Sequence, residues 1–292
     1  MQADRNCYSV LKWLTPVLPV RLAKAKDGRA NRAARAIVDL ARSRRYRAKK
    51  MPSVPQTEAG ANPSARTAPA APPAPLRAYY DALLAAHGPQ HWWPGRSAFE
   101  VIVGAILTQN TSWTNVEPAI RNLRREKLLT PRGMESVSLA RLARLVRSSG
   151  YFRQKARKLK CFVQFLRSEY GGSLAKMFRT PTVALREKLL SVHGIGPETA
   201  DSILLYGGEH AVFVVDAYAR RLLERHQLAT PAQSYEVIRR LFERTFPGDA
   251  PLYNEFHALI VRTGKEYCRT RNPRCSECPL HSFLPRAMQA NL

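Results

Sequence analysis

Three groups of residues in this chain have the type and spacing to do chemistry. The first is Asp216, which follows the apolar run Val212 to Val215 and stands just ahead of Ala217-Tyr218-Ala219-Arg220-Arg221. A carboxylate fixed at the start of a helix is well oriented to stabilise a developing positive charge or to activate a water molecule. It is equally suited to cap that helix, and the two roles are compatible. The second group is Cys268-x6-Cys275-x2-Cys278 near the C-terminus. Thiolates at such short spacings favour a metal cluster over a disulfide framework. The third is the turn Thr108-Gln109-Asn110-Thr111, which exposes two side-chain amides between two helical patterns.

The elements that must position these groups are legible as patterns. From Leu189 to Arg221 a short amphipathic helix ends near Val192, and the turn His193-Gly194-Ile195-Gly196 opens a second helix at Pro197. Two glycines around one apolar residue allow a tight turn with positive φ and close backbone approach. Proline suits the first helical turn, where its missing N–H costs little. The free N–H groups of such a helix start favour an anion and read no base. Ile195 is expected to plug the gap between the helices, and Ala200, Ile203 and Leu204 to face the core. The glycines Gly207 and Gly208 predict the stop of this second helix, after Tyr206.

Phe99 to Leu107 reads as a buried helix, followed by a second with Val116, Ile120 and Leu123 on one face. Leu76 to Gly88 reads as an amphipathic helix with a glycine stop. Ser149 to Phe152 breaks two further helices. The second of these carries the apolar stripe Phe152, Ala156, Leu159, Phe162 and the core cysteine Cys161, with Arg153, Lys155, Arg157, Lys158 and Lys160 on the remainder. His257 lies beside the apolar face of a late helix and is expected to be buried and hydrogen-bonded rather than catalytic. Trp92-Trp93-Pro94 offers aromatic faces for packing between lobes or for stacking on a flat, electron-poor ring.

The bulk composition narrows the partner. A formal charge of +25 on 292 residues points to a polyanion, nucleic acid first. A hydrophobic content of 45% with four tryptophans implies a real core, which argues against a merely basic, ribosomal-type chain. No apolar run approaches the roughly 18 residues of a membrane span. Residues 1–75 differ from the rest: a dense Arg/Lys/Ala mixture gives way to a Pro/Ala linker that has no core to bury. A disordered basic arm, a transit-like segment and a start misplaced upstream of Met51 all fit that composition.

These motifs together resemble the endonuclease III superfamily of helix-hairpin-helix DNA glycosylases. The resemblance spans Trp92 to Cys278. It rests on Gly194-Ile195-Gly196 with Ala200, on Asp216 at a fixed distance behind it, on Gln109-Asn110-Thr111, and on Ser149-Gly150-Tyr151-Phe152 with Lys155-Ala156. It implies an all-α fold of two helical lobes flanking a DNA-binding cleft, with the catalytic domain over residues 76–267 and a cysteine loop over 268–292. In such a protein Asp216 would be catalytic, and Gln109, with Asn110, would fill the gap left by an extruded base. Gly194, Ile195, Gly196, Thr199, Lys155 and Lys265 would contact DNA, and Trp92 and Trp93 would line the base pocket.

Two departures from the family pattern matter. The lysine that attacks C1′ in bifunctional members corresponds to Glu198, and a carboxylate forms no Schiff base. The fourth cysteine of the family's [4Fe–4S] loop corresponds to Leu284. A cluster, a zinc ion completed by His281, and a metal-free loop all stay open, and any metal would be structural. Trp92-Trp93-Pro94, Gly194-Ile195-Gly196 and Val215-Asp216 look most like the related 3-methyladenine DNA glycosylases. The expectation is a monomeric, monofunctional N-glycosylase acting on alkylated purines in double-stranded DNA, cytoplasmic and nucleoid-associated. The alternatives are an oxidised-pyrimidine glycosylase/lyase, a mismatch adenine glycosylase and a non-catalytic damage sensor.

Overall fold

The computed structural model describes residues 75–92 and 95–289. The basic arm, the Pro/Ala linker and Trp93 fall outside them. Among the described residues the chain is all-α, as expected.

In chain order the helices are α1 (Leu76–His87), α2 (Ala98–Leu107), α3 (Trp113–Arg125), α4 (Pro131–Ser136), α5 (Leu139–Leu145), α6 (Phe152–Tyr170), α7 (Leu174–Phe178) and α8 (Thr182–Leu190). They continue with α9 (Pro197–Ser202), α10 (Ala217–Arg225), α11 (Tyr235–Thr245), α12 (Ala250–Glu266) and the short α13 (Arg286–Gln289). Helices α2 to α9 pack on one another around α2. Helix α12 packs on α1 and α10, so both ends of the described chain meet in a second lobe.

The central helix α2 is buried along nearly its whole length, from Phe99 to Leu107. Its valines and isoleucines would suit a strand equally well. Helical order is imposed at the ends: Ser97 caps it through the Glu100 N–H, and the Thr108 N–H closes on the Gly104 carbonyl. Glu100 is itself buried, and Arg124 of α3 holds its carboxylate at 2.6 Å. Lys155 of α6 reaches the same helix from the other end. Its ammonium, 2% exposed, donates to the carbonyls of Leu107 and Ser149. A cation there satisfies the C-terminal end of α2. Burial, and then Lys158, push its pKa down to about 8. The expected contact of Lys155 with a DNA phosphate therefore does not fit its place; the residue is structural.

The run Val212 to Val215 is buried without regular structure. Two of its backbone donors are met by side chains: Glu243 accepts from the Phe213 N–H at 3.0 Å, and the Tyr235 hydroxyl from the Val215 N–H at 3.3 Å. Phe213 stacks on Phe242 with ring centres 3.8 Å apart. An ordered extended run thus leads the chain to Asp216.

The second lobe carries an acid-sensitive contact. The Tyr79 hydroxyl lies 2.8 Å from Nδ1 of the buried His226. Burial pushes the His226 pKa down to about 4, from 6.5. Between those values the unfolded chain takes a proton that the folded one refuses, so stability is complete above pH 6.5 and declines as pH falls towards 4. The loss from this residue should reach ~3 kcal/mol. Urea unfolding at neutral and acid pH checks it: the acid-induced loss should be smaller in His226→Gln than in the native protein.

Candidate functional site

The hairpin turn is built as its glycines suggest, but only one of them needs the left-handed region. Gly194 has φ +83°, and a Cβ there would run into the aliphatic stem of Lys158, 2.5 Å away. Gly196 has φ −95° and ψ −179°, an extended conformation open to any residue. What its missing side chain leaves is room, since a Cβ would meet no protein atom within 4 Å. Pro197 opens α9, and Ile195 is 5% exposed beneath the turn.

Helix α9 does not run on as a plain α-helix to Tyr206. Ile203–Gly207 forms a π-helical turn instead. Such a wider turn re-aims side chains and is common near functional sites. Here it places the Tyr206 hydroxyl 2.6 Å from Nδ1 of His257 on α12.

Asp216 is the N-cap of α10, its Oδ1 accepting from the Ala219 N–H at 2.8 Å. Its Oδ2 lies 3.5 Å from His257 Nε2. Burial alone would raise its pKa. The neighbouring His257 and the N–H groups of Ala219 and Tyr218 outweigh burial and hold the carboxyl below the usual range. Glu198, in the first turn of α9, behaves in the opposite way: desolvation and then the Asp216 charge push it up, only partly offset by His257. Two carboxyls thus share one pocket with their acidities driven apart.

That pocket is a cavity of about 180 Å³. Trp92, Trp113, Tyr206 and Tyr218 line it with the two carboxyls, and Lys265 stands at its wall with its ammonium 5.6 Å from the centre of a Trp92 ring. It opens into a long groove of about 1240 Å³ that runs past Gln109, Asn110, Lys158, the hairpin turn, Arg221, Lys265 and Arg269. The groove is therefore formed by both lobes and edged with cations.

Gln109 sits between turn and groove. Its amide nitrogen donates to the Gly194 carbonyl at 3.0 Å and to the Thr199 hydroxyl at 2.8 Å, and Lys158 donates to its carbonyl oxygen. Thr199 is buried and occupied by this contact. Asn110 is exposed, with φ +54°.

The cysteine loop gathers Cys268, Cys275 and Cys278 around a void of only about 10 Å³. Leu280 and Leu284 are buried against it, so the place of a fourth ligand is filled with hydrocarbon. Burial pushes the Cys275 thiol up and the Cys278 thiol to about 11. His281 turns Nδ1 to the Cys275 carbonyl, 3.2 Å away. Among the described residues no group of three ligands is arranged to hold a metal. Three thiols with Leu284 in the fourth position lack the four-thiolate donor set of a [4Fe–4S] loop, and His281 does not line the void to complete a zinc site. The loop is held by arginines of α10 instead: Arg221 Nε donates to the Cys268 carbonyl, and Arg225 donates to the Cys268 sulfur and the Arg269 carbonyl.

Sequence reasoning assigned His257 to the core and did not link it to Asp216. The link depends on the π turn and on the packing of α12, neither of which leaves a local signal.

Comparison with known proteins agrees with this geometry. Residues 103–247 match the HhH-GPD superfamily of base excision DNA repair proteins. A provisionally named DNA repair glycosylase of Methanocaldococcus jannaschii is 44% identical over 206 residues, 70% of this chain and 93% of that protein. Endonuclease III of Thermotoga maritima is 30% identical over 62% of this chain and 79% of its own. An endonuclease III–DNA complex shares the fold with a TM-score of 0.64 at 21% identity, covering 74% of this chain and 96% of that one. A 3-methyladenine DNA glycosylase of H. pylori bound to 1,N6-ethenoadenine aligns with a TM-score of 0.57 at 29% identity, over 65% of this chain and 95% of that one. No described helix is long and apolar enough to cross a membrane. On its sequence, its hairpin and its groove, the chain belongs to the HhH-GPD superfamily of base excision DNA repair proteins and is a DNA glycosylase of that family.

Proposed function

We propose that this DNA glycosylase is monofunctional and removes alkylated purines. The observation that carries the reading is Glu198: the position of the family's attacking lysine holds a carboxyl, in one pocket with Asp216. Neither group forms a Schiff base, so the family's nucleophile for β-elimination is missing from its position. The duplex would lie in the basic groove. Its phosphate would approach the Gly196 backbone, where no side chain intervenes. Gln109 would leave its contacts with Gly194 and Thr199 to fill the gap in the stack.

The extruded base would enter among Trp92, Trp113 and Tyr218. A purine alkylated at a ring nitrogen, such as 3-methyladenine, is cationic in the strand, so aromatic faces and two carboxyls suit it, and it is already a good leaving group. The C1′–N bond then breaks with its electron pair going to the base. Asp216 stabilises the oxocarbenium-like sugar, and water adds to C1′, passing its proton to the Asp216 carboxylate. The H. pylori 3-methyladenine glycosylase, similar over two thirds of this chain, supports the choice of substrate.

The test is incubation with duplexes holding an alkylated adenine, thymine glycol or an adenine–8-oxoguanine mismatch. Free alkylated base released without strand cleavage is the expected result. A covalent adduct trapped by borohydride would sink the monofunctional reading. Tight binding with no base released from any duplex would favour a damage sensor.

A further inference from the structure

Asp216 shares its pocket with an imidazole whose far nitrogen is held by a third residue. His257 is 5% exposed, and both its ring nitrogens face polar groups. The Tyr206 hydroxyl is 2.6 Å from Nδ1, and Asp216 Oδ2 is 3.5 Å from Nε2. The three side chains come from separate elements: the π turn after α9, helix α12 and the cap of α10. The edge of the His257 ring is fixed by Phe213, 6.2 Å away and nearly perpendicular. Glu198 from α9, Tyr218 from α10 and Lys265 from α12 are the other ionisable groups lining the pocket around it.

Tautomer counting gives this chain a direction. A neutral imidazole with its proton on Nδ1 would turn a bare Nε2 lone pair towards a carboxylate, which is repulsive. If Tyr206 donates to Nδ1, the proton of a neutral ring must sit on Nε2, facing Asp216. A protonated ring also presents Nε2–H. Every arrangement compatible with an ionised Asp216 therefore aims an N–H at it.

We propose that Tyr206 and His257 are positioning residues that keep the Asp216 carboxylate ionised and aimed into the base pocket. The inference rests on the reading of Asp216 as the carboxylate that stabilises the sugar cation. Burial, together with Asp216 and Glu198, pushes the Tyr206 phenol well above its usual range, so it keeps the proton it donates. Asp216 stays low although desolvation opposes it, and His257 is the largest force acting the other way. The separation of 3.5 Å is long for a hydrogen bond, as such contacts often are before substrate binds.

Two measurements on the full chain test the proposal. The first is the pH dependence of single-turnover base release from an alkylated-adenine duplex, for the native protein, Tyr206→Phe, His257→Gln and His257→Leu. The second is a carbon-13 NMR titration of the Asp216 carboxyl without DNA, assigned with Asp216→Asn. His257→Leu should move the acid limb and the NMR midpoint upward together, by about one pH unit or more. Tyr206→Phe should give a smaller shift of the same sign. His257→Gln, whose amide N–H replaces Nε2–H, should restore much of the midpoint. Duplex affinity should not change. Coincident midpoints in the native protein, Tyr206→Phe and His257→Leu overturn the proposal, and Tyr206→Phe decides it should His257→Leu fail to fold. If the native protein releases no base while the midpoints shift as expected, the catalytic reading of Asp216 fails and the positioning role stands.

Discussion

Asp216→Asn should lower the rate of base release roughly a thousandfold while leaving the protein folded and able to bind DNA. The two roles of this residue separate in that one substitution. Asparagine is as good a helix cap as aspartate, and its side-chain oxygen can still accept the Ala219 N–H. Stability should therefore change by no more than a few tenths of a kcal/mol. What is removed is the charge. In the native site that charge is maintained against desolvation by His257 and two backbone donors, and it faces the pocket in which a sugar cation would form. Because the carboxyl stays ionised well below neutrality, the native rate should show no titration of Asp216 around pH 7. A variant that binds damaged duplex normally but releases base at the native rate would remove Asp216 from the chemistry. A variant that simply unfolds would say that the cap matters more than the charge, against the preference order of capping residues.

The fold and the hairpin were legible because each is written locally. Apolar spacing marks α1, α3 and α6. The glycine–isoleucine–glycine turn with Pro197 marks the entry to α9. Asp216 ahead of AYARR marks a helix start and turned out to cap α10. The misreadings are instructive for the same reason. Lys155 looked like one cation among five on a solvated face. Its ammonium is in fact consumed by two carbonyls, one of them 48 residues away in α2, a partner that local spacing does not reveal. Of the two features that the paired glycines allow, Gly194 takes the positive φ and Gly196 leaves the open space. His257 looked like a core histidine, and it is buried; what spacing along α12 could not show is that its ring bridges Tyr206 and Asp216.

The cysteine loop follows similar logic. Three of its ligands keep the family's spacing, so the motif survives as a pattern. Leu284 is buried against the void in the place of the fourth cysteine, and arginines of α10 anchor the loop. A loop fixed by Arg221 and Arg225 still presents Arg269 to the groove, which is the one task the groove needs from it.

Glu198→Lys should give the opposite kind of effect to Asp216→Asn: a covalent reaction that the proposed monofunctional mechanism lacks. Borohydride should trap a covalent complex between the variant and damaged or abasic duplex, and strand cleavage should accompany it. The native protein should yield neither. The physical grounds are the surroundings of residue 198. Desolvation there penalises a charged side chain, which already pushes the native carboxyl up. The same desolvation would lower the pKa of a lysine and leave more of it as the free amine that attacks C1′. The Asp216 carboxylate in the same pocket would oppose this in part by favouring the ammonium. Raising the pH should therefore increase trapping in the variant. The position lies in the first turn of α9 and lines both the pocket and the groove, so a lysine there has room to extend. Trapping by the native protein, or its absence from a folded, DNA-binding variant at alkaline pH, would each break the link between residue 198 and the choice of mechanism.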